Sequence, residues 1–254
     1  MNGYIGFFDI LGYQSFLKNT TNDNEQKRIL QEIVAIRNSI PSSVRTSGPE
    51  KLPSGLNKII NEIQWIIFSD TIVFAIEEST VIEHTLYQCI TAFTTVKHLM
   101  TRMFNYGFPL RGALHYGQYN VIESCMAGTG ILEAHDAGQN LDLSGCVLTQ
   151  PLIAKWESVS NSENTFLNEI SCDYAVPVSG NKIKKQKCLM WFGKDDEDKK
   201  MQSDEIKNIL KEDKYDLYVR NAFWKHNKTV SDSKTKRKLK ETERFIRYCV
   251  SEQK

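Results

Sequence analysis

The stretch Phe7-Phe8-Asp9-Ile10-Leu11-Gly12-Tyr13 places an aspartate directly after an apolar run and three residues before a glycine. A second stretch, Phe68-Ser69-Asp70-Thr71-Ile72-Val73-Phe74, places another aspartate between two apolar runs. Aromatic and β-branched runs of this length predict buried strands. Asp9 is therefore predicted to close a strand and open a helix, and Asp70 to lie at a hairpin turn between two strands.

The surrounding elements follow a recognisable order. Strand and helix periodicity predicts, in sequence, a strand over Tyr4–Asp9, helices over Gln14–Leu17 and Gln26–Ile40, a loop over Pro41–Pro53, strands over Ile59–Phe68 and Thr71–Ile76, a helix from Ser79 or Thr80 to about Asn105, and a strand from Pro109 through Gly117. This β, α, β-hairpin, α, β order is typical of the ferredoxin-like, or palm, arrangement. We expect an α+β fold with a central, mostly antiparallel sheet and flanking helices, which brings Asp9 and Asp70 to one sheet edge.

The second half gives weaker patterns. A helix is predicted over Gly128–Ala137, a strand over Leu143–Leu148 followed by a short helix through Lys155, a basic hairpin arm over Lys182–Lys187 that enters a strand over Cys188–Phe192, and a charged loop over Gly193–Lys200. The basic segment Lys234–Lys240 is interpreted as a solvated face with no role. We expect one domain over residues 1–254, with a C-terminal helical extension from about residue 200.

Composition excludes several classes of function. The 254 residues carry a net charge of +1 and are 41% hydrophobic, which gives no global reason to expect a nucleic acid or a membrane as partner. No apolar run approaches the roughly 20 residues of a membrane span, and no export leader is visible. The six cysteines form no Cys-x-x-Cys pair, which argues against a zinc site and for reduced thiols in a cytoplasmic protein.

The paired aspartates favour metal chemistry. Two carboxylates at neighbouring strand ends suit hard divalent cations such as Mg²⁺ or Mn²⁺, which serve phosphoryl and nucleotidyl transfer. A single aspartate after a strand is as often a helix cap. Two of them at convergent turns indicate a metal site.

The chain resembles the class III nucleotidyl cyclases, the catalytic domains of adenylate and guanylate cyclases. Three motifs carry the resemblance: Phe8-Asp9-Ile10-Leu11-Gly12-Tyr13, the turn Ser69-Asp70 with serine in place of the family's glycine, and the strand Leu110-Arg111 through His115 and Gly117. They span about 120 residues in the family's order. The last 90 or so residues carry no comparable match.

The resemblance implies a site and a reaction. Asp9 and Asp70 would bind two Mg²⁺ or Mn²⁺ ions with the Ile10 carbonyl assisting, and backbone N–H groups from Leu11 through Gly12 to Tyr13 would hold the β- and γ-phosphates. The substrate would be a nucleoside triphosphate, and the products a 3′,5′-cyclic nucleotide and pyrophosphate. Family members form head-to-tail dimers with sites at the interface, so a homodimer is expected.

Besides Ser69, the chain departs from the family at four positions. Ile66 stands where purine cyclases carry a base-reading lysine, and Cys125 stands where they carry its aspartate partner. Leu132 and Asp136 replace the asparagine and arginine that stabilise the transition state. Replacement cations are expected among Arg111, Lys155 and the Lys182–Lys187 arm, from which Lys185 is taken as a phosphate ligand.

These departures resemble the pyrimidine cyclases of bacterial Pycsar antiphage systems, which also carry an Arg-Gly strand like Arg111-Gly112. The resemblance implies that CTP or UTP is converted to cyclic CMP or cyclic UMP, which acts on a separate effector protein. Gln64 and Trp65 are candidates for contact with the base. Two alternatives stay open: a purine cyclase with an atypical pocket, and a catalytically inactive cyclase-like module that binds nucleotide.

Overall fold

The computed structural model describes residues 1–46, 56–123, 125–160, 165–180, 182–192, 207–208 and 211–253. The strands are β1 (Asn2–Ile10), β2 (Gln64–Phe68), β3 (Thr71–Glu77), β4 (Leu110–Gln118), β5 (Asn120–Ile122), β6 (Cys125–Ala127), β7 (Gly145–Leu148), β8 (Ser171–Val178) and β9 (Lys182–Leu189). The helices are α1 (Tyr13–Asn19), α2 (Asp23–Thr46), α3 (Leu56–Asn61), α4 (Ile82–Tyr106), α5 (Thr129–Gly138), α6 (Gln150–Val159), α7 (Phe166–Ile170), α8 (Tyr215–Trp224) and α9 (Ser233–Glu252). The predicted loop Gly193–Lys200 lies outside the described residues.

Seven strands form one sheet in the order β2-β3-β1-β4-β7-β9-β8, and β5 and β6 form a separate two-stranded ribbon. The first four strands pair antiparallel, and with α1–α4 they give the β-α-β-β-α-β connection of the ferredoxin-like fold. The β4–β7 pair is parallel, whereas β9 pairs antiparallel with both β7 and β8. The predicted α+β, palm-type sheet is therefore confirmed.

Helices cover both faces of this sheet. On one face, α4 packs on β1 and α2 packs on α4; Tyr4 of β1, for example, donates a hydrogen bond to the Thr85 carbonyl of α4 at 3.2 Å. On the other face, α5 packs on β1 and β4, and Phe7 contacts the His135 ring at 5.0 Å. Because strand side chains alternate, Asp9 projects on the same face as Phe7.

Helix α2 runs further than the sequence predicts. The predicted loop over Pro41–Pro53 is wrong for residues 41–46, which continue the helix with Pro41 inside it, and residues 47–53 lie outside the described residues. Proline removes one intrahelical hydrogen bond. The helix continues because Ile40 and Val44 extend its buried stripe, and because Arg102 of α4 donates to the Ser39 and Ser43 hydroxyls.

The predicted strand over Ile59–Phe68 is wrong in its first half. Residues up to Asn61 belong to α3, and β2 begins at Gln64. Ile59, Ile60 and Ile63 are all buried, and a short apolar run of this kind fits a buried helix as well as a strand.

Most of the remaining elements agree with expectation. Helix α5 covers the predicted Gly128–Ala137 segment, and α6 covers the helix predicted through Lys155. Strand β8 has no counterpart among the predicted elements, although it is the partner of the predicted basic arm. Among the described helices, none combines the length and the apolar character that a bilayer crossing requires.

Candidate functional site

The two predicted aspartates lie at one edge of the sheet. Asp9 pairs across the ladder with Thr71, the residue after Asp70, and the Ile10 N–H donates to the Asp70 carbonyl at 2.7 Å. The N–H and carbonyl of one strand residue point to the same side, so the Ile10 carbonyl also faces the β2–β3 turn. The topology therefore brings together Asp9, Ile10 and Asp70, the three predicted metal ligands.

The turn that presents Asp70 uses an unusual backbone conformation. Ser69 has a φ of 55°, in the left-handed region that glycine adopts most easily. The serine in place of glycine therefore keeps the conformation of the turn at a modest cost in strain.

Gly12 turns the chain from β1 into α1. It has a φ of 82°, and a Cβ at this position would lie 2.9 Å from Cδ of Lys228. The buried Lys228 donates to the carbonyls of Gly107 and Ala222 and stacks its ammonium over Phe108. The N-terminal loop is thus in contact with the segment that precedes α9.

Of the backbone N–H groups predicted to bind phosphate at this loop, one already donates to a protein carbonyl. The Leu11 N–H donates to the Pro109 carbonyl at 2.8 Å and is not available to a phosphate, which corrects the prediction for that residue. Gly12 and Tyr13 lie at the start of α1, where a helix leaves N–H groups without intrahelical partners. Burial and, to a smaller extent, the Asp70 carboxylate raise the pKa of Tyr13.

Arg111 lies opposite Asp9 on β4. Its guanidinium is 3.3 Å from Asp9 Oδ2 and 3.3 Å from the Leu141 carbonyl, and both groups are largely buried. The buried Nε of Arg111 has no hydrogen-bond partner within the described residues. Arg111 thus orients Asp9, and its Nε–H can donate a hydrogen bond to an additional acceptor.

A cleft of about 540 Å³ opens beside these residues. Three parts of the chain line it: the end of β1 with α1, the Asp70 turn with Arg111, and the C-terminal segment from Phe223 to Lys238. The predicted site residues that line the cleft are Asp9, Ile10, Leu11, Gly12, Tyr13, Asp70 and Arg111.

The C-terminal wall is the part that the sequence interpretation missed. Lys234 and Lys238 of α9 line the cleft, although the sequence interpretation assigned the segment Lys234–Lys240 no role. Burial, with the charges of Arg111 and Lys234, lowers the pKa of Lys238 to about 8. The four-residue spacing of these lysines on one helix face was the available signal.

The donors at Asp9 and Asp70 fit a hard divalent cation. Two carboxylates and one carbonyl are oxygen ligands of the kind that Mg²⁺ and Mn²⁺ prefer. Within the described residues there is no group of three or more His, Cys, Asp or Glu side chains placed to hold a metal ion. The set therefore suits Mg²⁺ or Mn²⁺ that also takes water and phosphate oxygens, and does not suit a cage built from side chains alone.

The residues predicted to read the base are dispersed. Ile66 pairs with Val73, which places its half-buried side chain on the Asp9 face but outside the cleft. Trp65 lies on the opposite face, 5.2 Å from the Phe74 ring, and Gln64 lines a separate cavity with residues of α3, the end of β3 and α4. Cys125 is exposed on the β5–β6 ribbon.

The predicted replacement cations, apart from Arg111, lie away from the cleft lining. Lys155 pairs with Glu78 and lies 5.1 Å from the centre of the Tyr116 ring. Lys185 is exposed on β9, two strands beyond β4 in the sheet. Leu132 and Asp136 are exposed on α5, where Asp136 accepts hydrogen bonds from its neighbours His135 and Gln139.

Comparison with known proteins gives structural similarities alone. No protein-family model matches the chain, and no curated protein sequence matches it. The guanylate cyclase domain of RhGC from Catenaria anguillulae, solved in complex with GTP, is 9% identical, with a TM-score of 0.48 over 74% of this chain and 95% of that one. The adenylyl cyclase CyaB from P. aeruginosa is 9% identical, with a TM-score of 0.43 over 77% of this chain and 96% of that one. Both TM-scores are below 0.5, so neither similarity decides what this site does.

Proposed function

We propose that the protein is a nucleotidyl cyclase that converts a pyrimidine nucleoside triphosphate, CTP or UTP, to the 3′,5′-cyclic monophosphate and pyrophosphate. One observation carries the proposal: the ferredoxin-like topology brings Asp9 and Asp70 to one sheet edge, at the mouth of a cleft that is lined with cations. Arg111 offsets the charge of Asp9, whereas Asp70 forms no ion pair within the described residues, so the second carboxylate favours a metal ion at this site.

The residues of the cleft have separate roles in this reaction. Asp9, Asp70 and the Ile10 carbonyl would hold Mg²⁺ or Mn²⁺, which when bound supplies charge neutralisation and a lowered pKa of the ribose 3′-hydroxyl. The 3′-hydroxyl loses its proton to solvent as its oxygen attacks the α-phosphorus, the bond from that phosphorus to the bridging oxygen breaks, and pyrophosphate leaves. Arg111 fixes the orientation of Asp9, and the N–H groups of Gly12 and Tyr13 bind phosphate oxygens at the start of α1.

The pyrimidine preference is inferred because the two base-reading positions lack the hydrogen-bonding side chains that purine cyclases carry there. Ile66 has no side-chain donor or acceptor, so it cannot take the part that lysine has in purine cyclases. Cys125 is a weak hydrogen-bonding group. The resemblance to the Pycsar pyrimidine cyclases supports the same substrate class, and it supports a messenger product that acts on a separate effector during phage infection.

The test is to incubate purified protein with ATP, GTP, CTP or UTP and Mn²⁺, and to resolve the products by mass. Cyclic CMP or cyclic UMP is the expected product. Cyclic AMP or cyclic GMP would keep the cyclase and overturn the pyrimidine preference. If none of the four nucleotides yields a product, while one of them binds, the chain is a nucleotide-binding module instead.

We further propose that the enzyme acts as a homodimer through the Asp9 face of the sheet. Three large apolar side chains on or beside this face are unusually exposed: Phe68 at 77%, Ile122 at 75% and Leu132 at 60%. Large exposed apolar side chains on one side of a fold support an interaction surface there. Light scattering of Phe68→Asp against wild type tests the proposal: a monomer is expected for the variant and a dimer for the wild type, whereas a monomeric wild type would contradict it.

A further inference from the structure

Five of the seven basic residues of α9 fall into two groups. Arg237, Arg244 and Arg247 each form an ion pair, with Asp142 at 3.4 Å, Glu241 at 2.7 Å and Glu243 at 2.9 Å respectively. Lys234 and Lys238 form no ion pair within the described residues, although both line the cleft. The Arg237–Asp142 pair joins α9 to the rest of the fold, the other two pairs lie within the helix, and the two lysines face the cleft.

The position of Lys238 is fixed by contacts at the N-terminus and in the middle of its helix. Asp232 caps the N-terminus by accepting a hydrogen bond from the Thr235 N–H at 2.8 Å. Further along, the buried Thr242 hydroxyl accepts from the Ser144 N–H at 2.8 Å and donates to the Lys238 carbonyl at 2.7 Å. Because these hydrogen bonds fix the backbone of Lys238, its side chain extends into the cleft from a fixed position.

Like charges converge at this wall. Arg111 and Lys234 both act on Lys238 strongly enough, together with burial, to lower its pKa. Asp142 and Asp232 oppose the shift but are smaller influences, and both are already engaged, with Arg237 and with the helix N-terminus respectively. Of the three converging cations, Arg111 alone has a paired carboxylate within the described residues, so the arrangement favours a polyanionic ligand for the two lysines.

We propose, taking the cleft to be the nucleotide site argued above, that Lys234 and Lys238 bind the β- and γ-phosphates of the triphosphate from the wall opposite Asp9 and Asp70. Lys238 lines the same cleft as Arg111 and would therefore meet the charge that develops on the departing pyrophosphate. The C-terminal helix would thus supply, within one chain, the cation that the family places at the position of Asp136.

Binding of an inorganic anion tests this inference separately from cyclisation. Calorimetric titration of the whole chain with tripolyphosphate and Mg²⁺ is compared for the wild type, Lys238→Met and Lys234→Met. Lys236→Met is the matched control, because Lys236 is exposed on the same helix and does not line the cleft. Removal of a charge-assisted hydrogen bond is expected to weaken binding about 10- to 100-fold for Lys238→Met, less for the more exposed Lys234→Met, and not at all for the control.

Two further measurements separate a loss of anion binding from a loss of folding. Lys238→Arg is expected to retain most of the affinity, and Lys238→Met to melt no lower than the wild type, since it removes a half-buried charge. Equal binding by wild type and Lys238→Met, or no binding by the wild type, would overturn the inference. If tripolyphosphate binds through Lys238 and no nucleotide is cyclised, the inference holds and the proposed cyclase activity fails.

Discussion

The core strands β1–β4 and the C-terminal helix α9 contribute opposite charges to one cleft. The core presents Asp9 and Asp70 from strand ends that the sheet ladder fixes, whereas α9 presents Lys234 and Lys238 from a helix held by a few side-chain bonds. Residues more than 200 positions apart connect the two regions, as in the 2.9 Å hydrogen bond between the Ser15 and Thr229 hydroxyls. The acidic half of the site thus follows from strand patterns in the sequence, whereas the basic half depends on long-range packing.

The largest expected effect comes from the acidic half. Asp9→Asn and Asp70→Asn should each lower the rate of cyclic nucleotide formation by more than about 100-fold, because loss of an indirect partner of a metal ligand already costs 10- to 100-fold. The assay is product formation with Mn²⁺. Asp173→Asn is the matched control, since Asp173 lies on β8 of the same sheet and pairs with Lys187 at 3.6 Å. Equal loss in all three variants would show that the effect is not specific to the cleft.

The next effect concerns how α9 is attached. Thr242→Val leaves the buried Ser144 N–H without an acceptor and should lower the free energy of unfolding by about 1–3 kcal/mol. Chemical denaturation of the wild type and the variant gives this value. Thr242→Ser keeps the hydroxyl and should recover most of the loss, and failure to recover would mean that the methyl group holds the helix.

Contact between the two regions can be tested at Gly12. Gly12→Ala places a methyl group 2.9 Å from Lys228 Cδ and also strains a φ of 82°. Gly180→Ala strains a nearly equal φ of 81° with no atom within 4 Å. Strain alone should cost about 1 kcal/mol in both variants, with a larger loss for Gly12→Ala. Equal losses in thermal or chemical unfolding would mean that Lys228 moves aside freely.

The smallest effect is a dependence on pH. Burial lowers the pKa of Lys228 to about 7, so the folded state binds its proton less well than the unfolded state does. The resulting penalty is fully present below about pH 7 and fades as the pH rises toward the unfolded value of about 10.4. Between pH 7 and 8 the wild type should gain up to about 1 kcal/mol of unfolding free energy relative to Lys228→Met. A constant difference between the two proteins across this range would contradict the assignment.

Local patterns were enough to predict the core of the fold. Strand periodicity around Asp9 and Asp70, and the order of elements that follows from it, predict the β2-β3-β1-β4 sheet and the meeting of the two aspartates. Periodicity failed where burial is decided by distant partners. The continuation of α2 past Pro41 depends on Arg102, and the α3–β2 boundary lies in an apolar run that fits either element.

The lysines of the cleft could not be predicted from the sequence for a related reason. The motifs lie in the first 120 residues, and the replacement cations predicted from them include Lys155. In the structure, that lysine pairs with Glu78. Lys238 stands in a charged stretch with no motif, and its composition alone fits a solvated helix face. Its place in the cleft depends on the packing of α9 through Thr242 and Arg237, which no local pattern predicts.

The most direct measurement is an electron paramagnetic resonance titration of free Mn²⁺ with a 3′-deoxynucleoside triphosphate present, which can bind but cannot cyclise. Wild-type protein should remove Mn²⁺ from solution, and both Asp9→Asn and Asp70→Asn should lose this uptake while Asp173→Asn keeps it. Mn²⁺ uptake that is the same in the wild type and in both cleft variants would contradict a metal-nucleotide site built on Asp9 and Asp70.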